Sequence, residues 1–287
     1  MGAERKKMTN IFFAISDADI APLFFDKTGI KCNYLMAFNN IKNQSWKLTN
    51  LYRKKINLLY LDSGAYASST RRSCAVSRDR YLDHLRGYGH KYDEFFNLDD
   101  NFNDPVHNQN NQHYLENGLG GTGMKPIPVV HDKTDPFGEF SMYANMGHQY
   151  IAIGSSGSRK GKDKLLTQAK NKYPEVKIHL FGDLDKYLLE KHRPYSADSA
   201  SWAHQAGVGG GIYYWRPQEK KQYQFNIGGR NRVNGKTHIK LSPLWNEIED
   251  FLYNKFGYDH HDLFNYKCRF ILNIYAIKQY EDYLNSV

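Results

Sequence analysis

Short apolar runs recur along this chain and alternate with amphipathic stretches, and this alternation constrains the fold more than any other feature. Each run is brief and rich in β-branched or aromatic residues, which is typical of buried parallel strands. The candidate strands are Ile11–Ile15, Tyr34–Ala37, Leu58–Leu61, Ile127–Val130, Tyr150–Ile153 and Lys177–Phe181. Apolar residues at helical spacing predict helices at Gly161–Lys172 and Asp183–Lys191. This order predicts an α/β fold, a TIM-like (β/α)8 barrel with a parallel sheet.

The chain of 287 residues is long enough for one such barrel, which commonly needs about 250 residues. We therefore predict a single domain over 1–287, with the barrel core at about 11–243 and C-terminal helices at about 244–287. Two stretches look like loops. Asn97–Gly123 is rich in Asn, Asp and Gly, and Gly207–Gly211 predicts a turn before a polar, basic stretch that runs to about Lys240.

Several classes of protein are excluded or disfavoured by simple features. No run of about 18 apolar residues is present, so we expect no membrane span. The charged first residues lack the apolar stretch of a secretory signal, which favours a cytoplasmic protein. Cys32, Cys74 and Cys268 lie far apart and have neither disulfide-framework nor zinc-ligand spacing. We therefore predict no metal and no cofactor.

Polar clusters follow three of the predicted strands and mark one further strand end, and strand ends are where the active sites of α/β barrels lie. Asp62-Ser63-Gly64-Ala65-Tyr66 follows one strand, His131-Asp132 the next, and Gly154-Ser155-Ser156-Gly157 another. The segment Tyr195–Trp202 marks a further strand end and carries Asp198. Each cluster also has a structural interpretation. The aspartates could cap turns or helices, and the histidine could be a structural one. The Gly-Ser loop could bind phosphate through its backbone N–H groups, but such loops are common and indicate little by themselves.

These clusters resemble, in order, the motifs of tRNA-guanine transglycosylases. Asp62–Tyr66 is similar to their Asp-Ser-Gly-Gly-Phe segment, and Ile151–Gly154 to a strand end Gly-Leu-Ala-Val-Gly. His179–Gly182 resembles the next strand, and Tyr195–Ser199 the segment with the nucleophilic aspartate. With Pro128–His131, the chain is most similar to the short phage members that place 7-deazaguanine in DNA. The family's Cys-x-Cys-x-x-Cys zinc site is missing, so the resemblance implies no zinc subdomain.

The resemblance implies a base exchange in DNA through a covalent glycosyl–enzyme intermediate, with a free 7-deazaguanine as co-substrate. Asp198 would be the nucleophile, and Asp62 would be the general acid and base or would hold the base during exchange. Either Asp99 or Asp100 would read the guanine edge, since a carboxylate accepts hydrogen bonds from N–H donors. The other expected base-binding residues are Ser63, Gly64, Tyr66, His131 and Gly154.

Basic residues favour a nucleic-acid partner, because 39 Lys and Arg against 30 Asp and Glu give a net charge of +9. A solvated charged surface would give the same excess. The residues expected to contact a flipped or single-stranded DNA backbone are Arg71, Arg72, Arg159, Lys160, Lys162, Arg230 and Arg232. Alternatives are a tRNA substrate, a non-catalytic barrel subunit that binds nucleic acid, and a nucleosidase or glycosidase that acts on small substrates with the same two carboxylates.

Overall fold

A computed structural model describes residues 8–40, 44–65, 75–154, 157–208, 210–227 and 238–287. Its main feature is a sheet of eight parallel strands. In chain order these are β1 Asn10–Ile15, β2 Asn33–Ala37, β3 Leu59–Asp62, β4 Glu94–Phe95, β5 Val129–Val130, β6 Tyr150–Ile153, β7 Lys177–Leu180 and β8 Ser196–Ser199.

The sheet closes on itself. Its strand order is β4-β3-β2-β1-β8-β7-β6-β5, so β4 and β5 form the two edges. A parallel bridge between Phe96 and Ile127 joins those edges. Its backbone hydrogen bonds are Asn97 N to Ile127 O and Ile127 N to Phe95 O, both 2.9 Å. The predicted TIM-like α/β barrel is therefore confirmed.

Helices follow most of the strands. Their bounds are Ile20–Thr28, Gln44–Trp46 (continued by a π-helical turn Lys47–Leu51), Arg78–Tyr88, Pro105–Gly118, Pro136–Asn145, Arg159–Lys172, Lys186–His192, Ser201–Gly207, Trp245–Phe256 and Tyr266–Ser286. Among the described helices, none is long and apolar enough to cross a membrane.

Aromatic and aliphatic side chains fill the barrel interior. Phe12, Tyr60 and Phe96 pack against one another, with ring centroids 4.0 Å apart for the first pair and 5.9 Å for the second. Val129 and Ala152 belong to the same buried cluster. These side chains form apolar layers within the barrel.

The predicted strands agree with the structure to within two residues at every end. The prediction that Asn97–Gly123 is a loop is wrong, because this stretch contains the helix Pro105–Gly118. Asp104 caps its first turn by accepting from the backbone N–H of His107, and Pro105 occupies the first position. Three of its side chains, Asn108, Asn111 and Gln112, are buried. Their amide groups donate to backbone carbonyls, Asn111 to Leu98, Asn108 to Asn101 and Gln112 to Pro126.

The polar stretch after Gly211 is likewise not all loop. It forms an antiparallel hairpin of β9 Gly211–Arg216 and β10 Lys221–Asn226. Residues 228–237 lie outside the described part of the chain.

By its internal contacts the chain divides into two compact units. The first comprises the residues up to Ala18 together with Asn33–Ser199, and it contains all eight barrel strands. The second comprises Asp19–Cys32 and Ala200–Val287, with the hairpin and the two C-terminal helices. Within the second unit, Asn273 accepts from Tyr213 N at 2.7 Å and donates to Trp202 O at 3.0 Å.

Candidate active site

Asp62 is the last residue of β3, and a tight turn follows it. Gly64 has φ +82°, in the left-handed region that glycine tolerates best. A Cβ at Gly64 would meet the side chain of Asn39 at 2.7 Å, and the Asn39 amide donates to Gly64 O at 3.2 Å. The turn brings the backbone N–H groups of Ser63 and Gly64 to the Asp62 carboxyl group.

The surroundings of Asp62 change the acidity of its carboxyl group strongly. Burial is the largest cause that raises the pKa of Asp62, and the charges of Asp99 and Asp198 act in the same direction, whereas the two backbone N–H donors lower it; the net result is a pKa of about 8. The residue is still partly exposed to solvent. Asp62 is therefore a carboxylic acid near neutral pH, and it is placed where it can exchange a proton with a ligand.

Asp99 lies beside Asp62, at the end of the segment that follows β4. The Ser63 hydroxyl donates to Asp99 Oδ1 at 3.0 Å, and His131 Nε2 lies 2.5 Å from Asp99 Oδ2. Asp100 faces elsewhere, because its Oδ1 bonds His107 at 2.8 Å and Asn111 at 2.9 Å. Of the two aspartates that the sequence left open, only Asp99 joins the cluster at the strand ends.

His131 follows β5 and is held from several sides. Glu139 Oε2 accepts the backbone N–H groups of His131 and Asp132, at 2.8 and 2.7 Å. A Cβ on Gly154 would lie 2.4 Å from the imidazole carbon Cε1, so only glycine at this position accommodates the ring. The ring of Phe102 covers His131 at 4.6 Å between centroids. His131 Nδ1 is buried and has no hydrogen-bond partner among the described residues.

Asp198 lies within β8 and is only 4% exposed. Its Oδ1 accepts the backbone N–H of Gly182 at 2.8 Å and lies 3.3 Å from His179 Nε2. Gly182 has φ +60°, in the left-handed region, at the end of the strand that carries His179. Within the described part of the chain, every hydrogen bond of the Asp198 carboxylate is to Oδ1, which leaves Oδ2 for a ligand.

His179 is completely buried in an aromatic layer. Its ring centroid lies 4.6 Å from that of Phe181 and 4.8 Å from that of Phe96. On the side away from Asp198, Nδ1 lies 2.6 Å from Ser196 Oγ. The same hydroxyl lies 2.6 Å from the hydroxyl of Tyr150.

The residues expected to contact a DNA backbone differ in their exposure to solvent. Lys162 is buried, and its ammonium group pairs with Asp183 at 2.6 Å, so it is not on the surface. Arg159 is exposed and pairs with Asp185 at 2.5 Å, and Lys160 is exposed. The other four, with the base-stacking candidate Tyr66, lie outside the described residues: Arg71, Arg72, Arg230 and Arg232.

Sequence reasoning missed three functional contributors. His179 and Gly182 stood within a quoted motif, but nothing local shows that a strand residue and a backbone N–H meet the neighbouring Asp198. Glu139 lies in the first turn of the helix Pro136–Asn145, four positions after the N-cap Asp135, and an Asp followed by Pro is a sequence signal that could have indicated this helix start. No group of three or more His, Cys, Asp or Glu side chains within the described ranges is arranged to hold a metal ion.

Comparisons with known proteins give little beyond the fold. No protein-family model matches this chain, and no curated protein matches its sequence. Among solved structures, the chain is similar to one titled "Native KDPGal structure", with 14% sequence identity and a TM-score of 0.45. That match covers 72% of this chain and 89% of the other.

These comparisons correct our prediction of function. A KDPGal structure is matched where a guanine-exchanging transglycosylase was expected, and we withdraw the prediction of a base-exchange glycosyltransferase. The identity and TM-score are too low for the match to lend an activity to this chain. The family resemblance, a DNA partner and a free 7-deazaguanine stay untested predictions.

Proposed function

We propose that this protein is a hydrolase that cleaves the glycosidic bond of a small glycoside, with Asp62 as the acid and Asp198 as the attacking carboxylate. The observation that carries this proposal is the contrast between the two groups at one barrel end. Burial and two neighbouring negative charges raise the pKa of Asp62 to about 8, whereas Asp198 accepts from a backbone N–H and faces an imidazole. Most glycoside hydrolases use a carboxylic acid and a carboxylate as their two catalytic groups.

In the first step, Oδ2 of Asp198 forms a bond to the anomeric carbon while the bond from that carbon to the leaving group breaks. Asp62 transfers its proton to the leaving group, which departs neutral. The charge of the Asp198 carboxylate stabilises the oxocarbenium-like transition state. Its other oxygen, Oδ1, stays bonded to Gly182 N–H, so the attacking group does not have to be reoriented.

In the second step, water attacks the anomeric carbon of the glycosyl ester. The Asp62 carboxylate takes a proton from that water, and the bond to Asp198 Oδ2 breaks. Both aspartates return to their starting states. The acceptor is water, so the reaction needs neither an incoming base nor a nucleic-acid chain.

The Ser63–Asp99–His131 cluster supports the acid rather than the attacking group. The negative charge of Asp99 is the largest electrostatic contribution to the raised pKa of Asp62. Ser63 and His131 hold the Asp99 carboxyl group in place, Ser63 at Oδ1 and His131 at Oδ2. The cluster therefore keeps Asp62 protonated at the pH where a glycosidic leaving group needs a proton.

The test is to incubate the purified protein with a panel of aryl O-glycosides and nucleosides and to measure release of the leaving group and the free sugar. Asp198→Asn is assayed in parallel. Asp100→Asn is the matched control, because Asp100 bonds His107 and Asn111 and lies outside the cluster. We expect release by the wild type and the control only. No release from any compound, or equal release by Asp198→Asn, would contradict the proposal.

A further inference from the structure

A chain of buried polar groups runs from Tyr150 through Ser196 and His179 to Asp198. The distances are 2.6 Å from Tyr150 Oη to Ser196 Oγ, 2.6 Å from Ser196 Oγ to His179 Nδ1, and 3.3 Å from His179 Nε2 to Asp198 Oδ1. All four residues are at least nine-tenths buried. Hydrogen bonds in such surroundings are costly to leave unmade, so the protons along the chain must be arranged consistently.

We infer that this chain holds His179 as the neutral tautomer protonated on Nε2, and that His179 thereby positions the Asp198 carboxylate for attack. His179 is a positioning residue, because it acts on the substrate only through Asp198. The positioning role rests on the proposed function, but the tautomer does not.

The proton directions follow from one constraint at the Asp198 end. Asp198 Oδ1 already accepts from Gly182 N–H, and a carboxylate has only acceptor oxygens, so Nε2 must carry the proton that it shares with Asp198. Nδ1 of a neutral ring is then an acceptor, and it receives the Ser196 hydroxyl proton. Ser196 Oγ is free to accept from the Tyr150 hydroxyl. Every hydroxyl in this arrangement donates once, and no two donors face each other.

The other neutral tautomer, with the proton on Nδ1, would place two acceptors opposite each other. If Nδ1 donated to Ser196, the lone pair of Nε2 would point at a carboxylate oxygen. Aromatic rings surround His179, at centroid distances of 4.6 Å for Phe181, 4.8 Å for Phe96 and 6.3 Å for Phe12. These rings keep the imidazole from turning away, and they offer no alternative acceptor for its protons.

The direct test is nitrogen NMR of the protein labelled with 15N-histidine. His179→Gln identifies the signals of this ring among the 12 histidines. We expect a protonated Nε2 and an unprotonated Nδ1 at neutral pH. A protonated Nδ1, alone or together with a protonated Nε2, would overturn the inference. This measurement needs no substrate, so it is decisive even if no glycoside is cleaved.

The positioning role is tested by Tyr150→Phe and Ser196→Ala, which remove one link each without changing Asp198. We expect kcat to fall about tenfold with KM unchanged, as when the partner of a functional histidine is removed. Tyr143→Phe is the matched control, because the Tyr143 hydroxyl is also buried in the barrel unit but has no partner among the described residues.

His179→Gln should keep more activity than His179→Leu, since its amide N–H can donate to Asp198. Equal kcat in Tyr150→Phe and Tyr143→Phe would contradict the positioning role. If the wild type cleaves no glycoside, the proposed function fails, and the nitrogen spectrum of the unaltered protein still decides the tautomer.

Discussion

Asp62 and Asp198 carry the same side chain at the same end of one barrel, yet their surroundings differ. Around Asp62 the nearest charges are negative, and the pKa of this carboxyl group rises to about 8. Around Asp198 the nearest polar groups are the Gly182 N–H and the His179 imidazole. In the proposed mechanism, the neighbouring groups rather than the residue type decide which aspartate donates a proton and which one attacks.

The largest effect is expected on the Asp198 side of this comparison. Asp198→Asn keeps the size of the side chain but removes the carboxylate that attacks the anomeric carbon in the proposed mechanism. We expect kcat/KM on any glycoside substrate to fall at least about 1000-fold. Steady-state kinetics measures this, with circular dichroism as a check that the variant is folded. A loss below tenfold would mean that Asp198 is not the attacking group.

Replacing Asp62 should lower kcat less than replacing Asp198 lowers kcat/KM, and it should also change how activity depends on pH. Because the pKa of Asp62 is about 8, its acid form is present below that pH and is lost above it. Wild-type activity should therefore fall as pH rises through about 8. In Asp62→Asn we expect a loss of about 100-fold in kcat and no alkaline limb, since the group that titrates is gone. An unchanged limb would assign it to another residue.

The same raised pKa has a consequence for stability. An aspartate titrates near 3.9 in the unfolded chain and at about 8 in the folded chain. Between these values the folded state binds more protons, so this group lowers the free energy of unfolding as pH rises, by at most about 1.4 kcal/mol per pH unit. Relative to wild type, Asp62→Asn should gain stability from pH 5 to pH 8. Urea denaturation at several pH values measures this, and a constant difference would contradict it.

Packing around His131 can be broken without changing any charge. In Gly154→Ala, the new Cβ would lie 2.4 Å from His131 Cε1. We expect the free energy of unfolding to fall by about 1–3 kcal/mol as the ring moves away from Asp99. Gly87→Ala is the matched control, because a Cβ there meets nothing within 4 Å and Gly87 lies inside a helix. The control should gain about 0.5–1 kcal/mol. Equal effects of both changes would contradict the account.

The smallest expected effect concerns the contribution of Asp99 to the pKa of Asp62. Asp99→Asn removes the largest electrostatic contribution to the pKa of Asp62 but leaves its burial unchanged. The alkaline limb should move to lower pH while the enzyme stays active. Asp100→Asn should leave the limb in place, because Asp100 bonds His107 and Asn111 instead. Comparing kcat against pH for the two variants tests this, and equal shifts would contradict the role of Asp99.

Much of the barrel could be predicted from the sequence because buried strands are short apolar runs. Tyr150–Ile153 has the predicted bounds in the structure. The strand β4, Glu94–Phe95, was not predicted, because two residues are too few to form a recognisable apolar run. The helix Pro105–Gly118 was missed because hydrogen bonds to backbone carbonyls stabilise its buried Asn and Gln side chains in place of apolar packing.

The site was predictable as a set of strand ends but not as a set of contacts. The positions after a parallel strand pointed to Asp62, His131 and Asp198 without coordinates. The choice of Asp99 over Asp100 required the structure, because it depends on which carboxyl group faces His131. The roles of His179 and Gly182 depend on contacts between neighbouring strands that no local pattern encodes.

The central claim is that Asp62 keeps its proton at neutral pH and can therefore act as the acid. Carbon NMR of the carboxyl groups, in protein labelled with 13C-aspartate, tests it most directly, with Asp62→Asn and Asp198→Asn used for assignment. The account predicts that the Asp62 signal titrates near pH 8. An Asp62 carboxyl group that is already ionised at pH 6 would contradict the account.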